Sequence, residues 1–169
     1  MAQKAKVDIL THVPMDRALT EADAELMVTE KQICIPTLVM MEGIGMLNIP
    51  GRDYKHSEES VRTMKNAGVP ILAGTDANNV PGTPSPIPHG ESLHRELELL
   101  VDAGLSTVEV LRCATEVNAK HFGLTDCGVI EPGRRADLVL IADDPIKNIS
   151  ATRGVQRVWC AGVEVNRTY

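Results

Sequence analysis

Over its first 124 residues the chain exchanges short apolar runs for amphipathic segments, and this alternation limits the available folds most. Val7 to Val13 reads as a strand. Thr20 and Asp23 have capping-box spacing and open a helix through about Lys31. Ile33 to Met41 is apolar and partly β-branched, which predicts a second buried strand. Glu42 to His56 carries Gly43, Gly45, Pro50 and Gly51 and reads as a long loop. Ser57 is the expected cap of the next helix, with Glu58 and Glu59 in its first turn, Val61, Met64 and Ala67 on its apolar side, and Gly68 at its end. A third short strand then runs toward Asp76. Strands separated by helices imply a parallel sheet built with right-handed crossovers. Three such units make an incomplete sheet, because a closed eight-unit barrel needs roughly 250 residues and this chain has 169.

Beyond Asp76 the pattern changes. Asn78 to Pro88 holds Pro81, Pro84, Pro86 and Pro88 and reads as a loop. Leu93, Leu97, Leu100 and Val101 recur at helical spacing up to Gly104. Ser106 and Glu109 form a second capping box, for a helix expected to run to Gly123. After the Glu131-Pro132-Gly133 turn, Ala136 to Ile141 reads as a strand, and Val155 to Cys160 with Gly162 to Val165 as a hairpin.

Composition excludes several function classes. A formal charge of −6 gives no basic face for nucleic-acid phosphates. No apolar run is long enough to span a bilayer, and the short apolar run after the basic N-terminus is broken by Asp8, so no signal peptide is expected. Cys34, Cys113, Cys127 and Cys160 are scattered without a C-x-x-C pair, which favours reduced, mostly buried thiols and a cytoplasmic location. With 2% aromatic residues, the core must rest on aliphatic side chains and Met.

The chemistry-bearing residues sit at predicted strand tips. Val69-Pro70-Ile71-Leu72-Ala73-Gly74-Thr75 leads into Asp76, and Leu10-Thr11 leads into His12. Acid and imidazole at the ends of parallel strands suit metal ligation or proton transfer. His89, His94 and Glu96 stand at the start of the following helix. They are candidates for substrate contact or for supporting the site, and equally for capping and helix-surface hydrogen bonds. Glu42 and Asn48 fall in the long loop, within expected reach of a substrate. His56 is expected to be solvent-exposed.

Four segments resemble a known family. Gly74-Thr75-Asp76, Pro88-His89-Gly90-Glu91-Ser92-Leu93-His94, Cys113-Ala114-Thr115 with Asn118, and Gly128-Val129-Ile130-Glu131-Pro132-Gly133-Arg134-Arg135-Ala136-Asp137-Leu138-Val139 are similar to the C-terminal half of the amidohydrolase superfamily, in particular its imidazolonepropionase-like and dipeptidase-like members. The last segment is the most specific. The resemblance implies the α/β C-terminal portion of a distorted (β/α)8, TIM-like barrel over residues 1–124, with strands six to eight. It assigns residues 125–169 to a small β-sandwich or hairpin tail. It implies a divalent metal, zinc by preference, with His12 and Asp76 as ligands and Asp76 as proton shuttle. It also implies a metal-bound hydroxide that attacks the carbonyl of an amide, cyclic amide or dipeptide-like substrate.

The family's remaining ligands match nothing here, so the chain reads as a fragment, inactive alone. The alternative reading is a non-catalytic half-barrel that needs a companion chain or self-association, because an open parallel sheet leaves strand edges to cover.

Overall fold

The computed structural model describes residues 5–80, 83 and 85–166; Met1 to Lys4 of the basic N-terminus, and Pro81 and Pro84 of the proline loop, lie outside them. Strand β1 (Ile9–Thr11) leads to helix α1 (Glu21–Thr29), then β2 (Ile33–Ile35), α2 (Leu38–Gly45) and α3 (Tyr54–Ala67). After the Asp76 segment come α4 (Glu91–Asp102), α5 (Thr107–Cys113) and α6 (Glu116–His121). Strand β3 (Leu138–Ile141), a 3-10 helix (Ile149–Arg153), β4 (Val155–Cys160) and β5 (Val163–Glu164) complete the order.

The expected parallel pairing is present. Strands β1 and β2 are parallel, with Ile9, Leu10 and Thr11 opposite Ile33, Cys34 and Ile35. The third unit joins through one parallel bridge, Cys34 to Ile71, carried by Cys34 N–H donating to the Pro70 carbonyl at 3.0 Å and Leu72 N–H to the Cys34 carbonyl at 2.9 Å. Beyond Leu72 the chain leaves β2: the Ala73 amide turns instead to the Cys113 carbonyl at 3.1 Å. The tail is a separate antiparallel sheet in the order β3-β4-β5.

Local signals held where partners are close in sequence. Thr20–Asp23 and Ser106–Glu109 both form complete capping boxes. Gly68 closes α3 at φ 84, a left-handed conformation that glycine adopts without Cβ strain.

Four expectations are corrected. The run Ile33 to Met41 is not one strand: β2 ends at Ile35, and α2 begins at Leu38. A uniformly apolar run fits a buried strand and a buried helix alike, and Pro36 supplies no amide to continue the ladder. The predicted loop from Glu42 to His56 is shortened from both ends, by α2 and by α3, whose cap is Asp53. Ser57 is buried inside α3, donating to the Pro14 carbonyl at 3.2 Å. The helix expected from Ser106 to Gly123 is interrupted at Ala114 and Thr115, giving α5 and α6.

Helix α1 packs on α3, and α2 lies against α3 and α4. Met27, Leu38, Met64 and Leu100 are fully enclosed between them. Burying each such side chain contributes about 1.5–3 kcal/mol, so aliphatic and thioether groups hold this aromatic-poor core. The 3-10 helix packs on α4 and links the tail to the helical layer. Cys34 and Cys113 are buried as expected, but Cys127 is only half-buried and Cys160 is exposed. Among the described residues no helix is long and apolar enough to cross a membrane.

Candidate active site at the strand tips

The C-terminal edge of the parallel sheet carries three non-glycine residues in the left-handed backbone region: His12 at φ 64, Thr37 at φ 53 and Asp76 at φ 54. His12 follows β1 and Thr37 follows the end of β2, whereas the strand expected to run from Val69 to Asp76 is reduced to the single bridge at Ile71, and Asp76 lies in irregular chain beyond it. For the β-branched Thr37 this conformation is an outlier, costing about 1–3 kcal/mol that the surroundings must supply. Asp tolerates it better, because its short polar side chain can bond locally.

Thr37 is held on several sides. Its carbonyl accepts from Met40 and Met41 N–H at 3.0 and 3.1 Å, starting α2. Its side chain makes no cap for that helix; the first turn is capped from a distance, by Glu96 of α4. One Glu96 oxygen accepts from the Val39 amide at 2.8 Å. A carboxylate suits a helix N-terminus, where unpaired amides and the dipole favour negative charge. Glu96 is wholly buried. Burial raises its carboxyl to about 7, opposed by the Val39 and Leu38 amides and reinforced by Glu42. The same burial lifts the Cys34 thiol to about 12, with Glu96 adding to the rise, so this cysteine is not a nucleophile.

His12 joins the edge through backbone and side chain. Its amide donates to the Ile35 carbonyl at 3.1 Å, and its Nδ1 lies 2.8 Å from Thr37 Oγ1. Asp76 sits on the third unit, exposed. Its approach to β2 is close: a Cβ on Gly74 would stand 2.5 Å from Ile35 Cγ2, which explains the glycine. The tip is fixed by Ala77 N–H donating to Thr75 Oγ1 at 3.1 Å and Asn78 Nδ2 donating to the Asp76 carbonyl at 2.9 Å. One turn below, Asn118 Nδ2 of α6 donates to the Ala73 carbonyl at 3.1 Å.

The other sequence candidates lie at varying remove. His89 is exposed in the turn before α4, its carbonyl accepting from Glu91 N–H at 3.0 Å. His94 turns to the tail, with Nδ1 3.0 Å from Thr152 Oγ1 of the 3-10 helix. Burial and then the Arg153 charge hold its imidazole below the usual range. Glu42 is gripped by Arg95 through two hydrogen bonds, at 2.6 and 3.1 Å. Arg95 also bonds Glu98, which Arg153 grips from the tail at 2.9 and 3.2 Å. This chain of charges ties α2, α4 and the 3-10 helix together, and hydrogen bonds led by Arg153 hold the Glu98 carboxyl down at about 2. Asn48 Nδ2 donates to the Met46 carbonyl at 3.1 Å. His56 is half-buried on α3, against the expectation of exposure, because α3 begins before it.

Thr37 was not singled out by sequence reasoning; Glu96 was named for capping, but not for a helix 57 positions away, and Asn118 only as part of a resembling segment. The available signal was Pro36-Thr37 interrupting an apolar run, since Thr after such a break is a helix-start residue.

Among the described residues no three His, Cys, Asp or Glu side chains converge closely enough to hold a metal ion. Zinc sites use three or four protein ligands, so the residues described do not form a complete metal site.

Residues 11–165 match the amidohydrolase family, and the chain belongs to that family. It is 37% identical over 109 residues to an imidazolonepropionase of Deinococcus deserti, covering 62% of this chain and 26% of that protein. It is 40% identical over 110 residues to an imidazolonepropionase of Alteromonas mediterranea, covering 63% and 25%. The chain thus spans about a quarter of the length of these curated relatives. Its fold is shared with a Xaa-Pro dipeptidase solved with bound methionine in the active site, at TM-score 0.81 and 23% identity, over 98% of this chain and 41% of that one.

Proposed function

We propose that this chain carries part of the active site of a metal-dependent hydrolase of C–N bonds. The substrate is a small amide, cyclic amide or dipeptide-like molecule. The observation that carries this reading is the position of His12, just past β1, and of Asp76, beyond the segment that bridges to β2 at Ile71, each in a left-handed backbone conformation. In this reading residues 1–124 correspond to strands six to eight of a (β/α)8 barrel and residues 125–169 to the β tail.

His12 and Asp76 are a subset of a ligand set for a divalent metal, zinc by family resemblance. The metal supplies Lewis acidity when bound. Asp76, exposed at the edge, takes a proton from the attacking water and returns it to the leaving nitrogen. His89 is the member of the α4 group open to substrate. The positions of His94, against Thr152, and of Glu96, on the first turn of α2, support roles behind the site.

Because no three ligand-type side chains converge among the described residues, the isolated chain is inactive. A second reading, a non-catalytic half-barrel that associates with itself or a companion, is favoured by the exposed Ile9 on β1, which pairs only with β2 among the described residues. A zinc-supplemented assay on amides, cyclic amides and dipeptides, run on fractions sized by light scattering, separates the readings. No turnover is expected from the monomer. Turnover is expected from an assembly and lost in Asp76→Ala. Hydrolysis by the monomer overturns the inactive-chain reading, and assemblies that hydrolyse none of the panel overturn the hydrolase reading.

A further inference from the structure

The hydroxyl of Thr37 makes two short contacts but has one proton. Oγ1 lies 2.7 Å from the Pro36 carbonyl and 2.8 Å from His12 Nδ1. Two oxygens 2.7 Å apart repel unless a proton lies between them, because both then present lone pairs. The hydroxyl proton therefore goes to the Pro36 carbonyl. That carbonyl also receives the Val13 amide, at 3.3 Å, and its two lone pairs accommodate both donors. With its proton spent, Thr37 Oγ1 can only accept from His12. The group facing it must be Nδ1–H.

We infer that Thr37 is a positioning residue which holds His12 in the Nδ1–H tautomer and leaves the ring's lone pair on Nε2. The arrangement accounts for the strained backbone of Thr37. A left-handed β-branched residue persists only where its neighbours over-determine it. Here they do so through the Met40 and Met41 amides on its carbonyl and through Glu96 on the next turn of helix. It also gives the imidazole the fixed outer partner that metal-ligating and proton-transferring histidines ordinarily have. Nε2 is then the ring nitrogen whose lone pair stays open to receive a proton, and it is the atom that would face a cation if one were held there. Thr37 touches neither and acts only through His12.

This inference rests on the proposed role of His12 for its purpose but not for its test, which needs neither metal nor turnover. Nitrogen-15 spectra of the imidazole, recorded on the full chain at about pH 8, above the ordinary imidazole pKa, read the tautomer directly. The wild-type chain is expected to show a protonated Nδ1 and an unprotonated Nε2. Thr37→Val keeps the branched shape but removes the acceptor that fixes the tautomer, and the Nδ1–H fraction is expected to fall below about half, toward the Nε2–H form favoured by an unconstrained histidine side chain. Thr37→Ser restores the hydroxyl and is expected to restore the wild-type pattern. A wild-type spectrum with Nε2–H overturns the inference, whether or not the valine variant folds. So does a folded Thr37→Val chain with an unchanged spectrum. Failure to find hydrolysis in the assembly assay would leave these outcomes untouched, so the two ideas fail separately.

Discussion

The tip of β2 and the tip that carries Asp76 lie on the same sheet edge but are built in opposite ways. Thr37 is buried, strained and held by residues far away in sequence: His12 is 25 positions off, and the Glu96 that caps the helix behind it is 57 positions from Val39. Asp76 is exposed and is fixed by its immediate neighbours, Thr75 and Asn78, with Asn118 reaching in only at Ala73. The first tip is a structural keystone that aims another residue. The second is a side chain displayed on a short-range turn. Altering the first should disturb the fold, whereas altering the second should disturb only what the displayed group does.

The strongest way to break this contrast is at Glu96. Glu96→Ala strips the first turn of α2 of its acceptor and opens a hole in the core. A loss of about 2–4 kcal/mol is expected in urea unfolding, with early hydrogen exchange at Val39. A loss below about 0.5 kcal/mol, the range of ordinary surface changes, would show that the helix start does not depend on the distant acid.

pH sharpens the comparison next. The Glu96 carboxyl is raised from 4.5 to about 7, so the folded state holds a proton that the unfolded chain releases. Its contribution to stability is complete below about 4.5 and is lost as pH rises toward 7. Glu98 moves oppositely, from 4.5 down to about 2: its contribution is present above 4.5 and is lost as pH falls toward 2. Unfolding free energy should therefore fall on both sides of a maximum near pH 4.5 insofar as these two groups dominate. Glu96→Gln should flatten the decline between 4.5 and 7 and leave the acid limb intact. An unaltered decline in that variant would remove Glu96 from the account.

The smallest effect is expected at the other tip. Asp76→Asn keeps the size of an exposed side chain and the backbone carbonyl that Asn78 holds. Unfolding free energy should change by less than about 0.5 kcal/mol. A change above about 1 kcal/mol would mean that Asp76 is also a structural residue, and the contrast would fail.

The two tips also differ in how well they could be read from sequence. Asp76 was legible because the apolar run before it, the glycine and the proline-rich loop after it are local signals. The β2 tip was not. Ile33 to Met41 looks equally apolar as strand or helix, and what ends the strand at Ile35 and starts the helix at Leu38 is a break at Pro36 stabilised from α4. Glu96 on a helix with an apolar stripe gave no sign that it would be turned inward. His94 was legible as a helix residue, but its partner Thr152 lies 58 positions away.

By itself, the sequence determined the parallel pairing of β1 and β2 around an intervening helix, the two capping boxes, the glycine stop of α3 and the turn before β3. These depend on dihedral preferences, periodicity and hydrogen bonds within a few residues, all set by neighbours along the chain. The tertiary structure alone decided where β2 gives way to α2, which carboxylate is buried, and which hydroxyl meets His12. Those outcomes depend on free polar groups of one segment meeting partners from another at close range, and only packing β1 beside β2 and α4 on α2 brings such partners together.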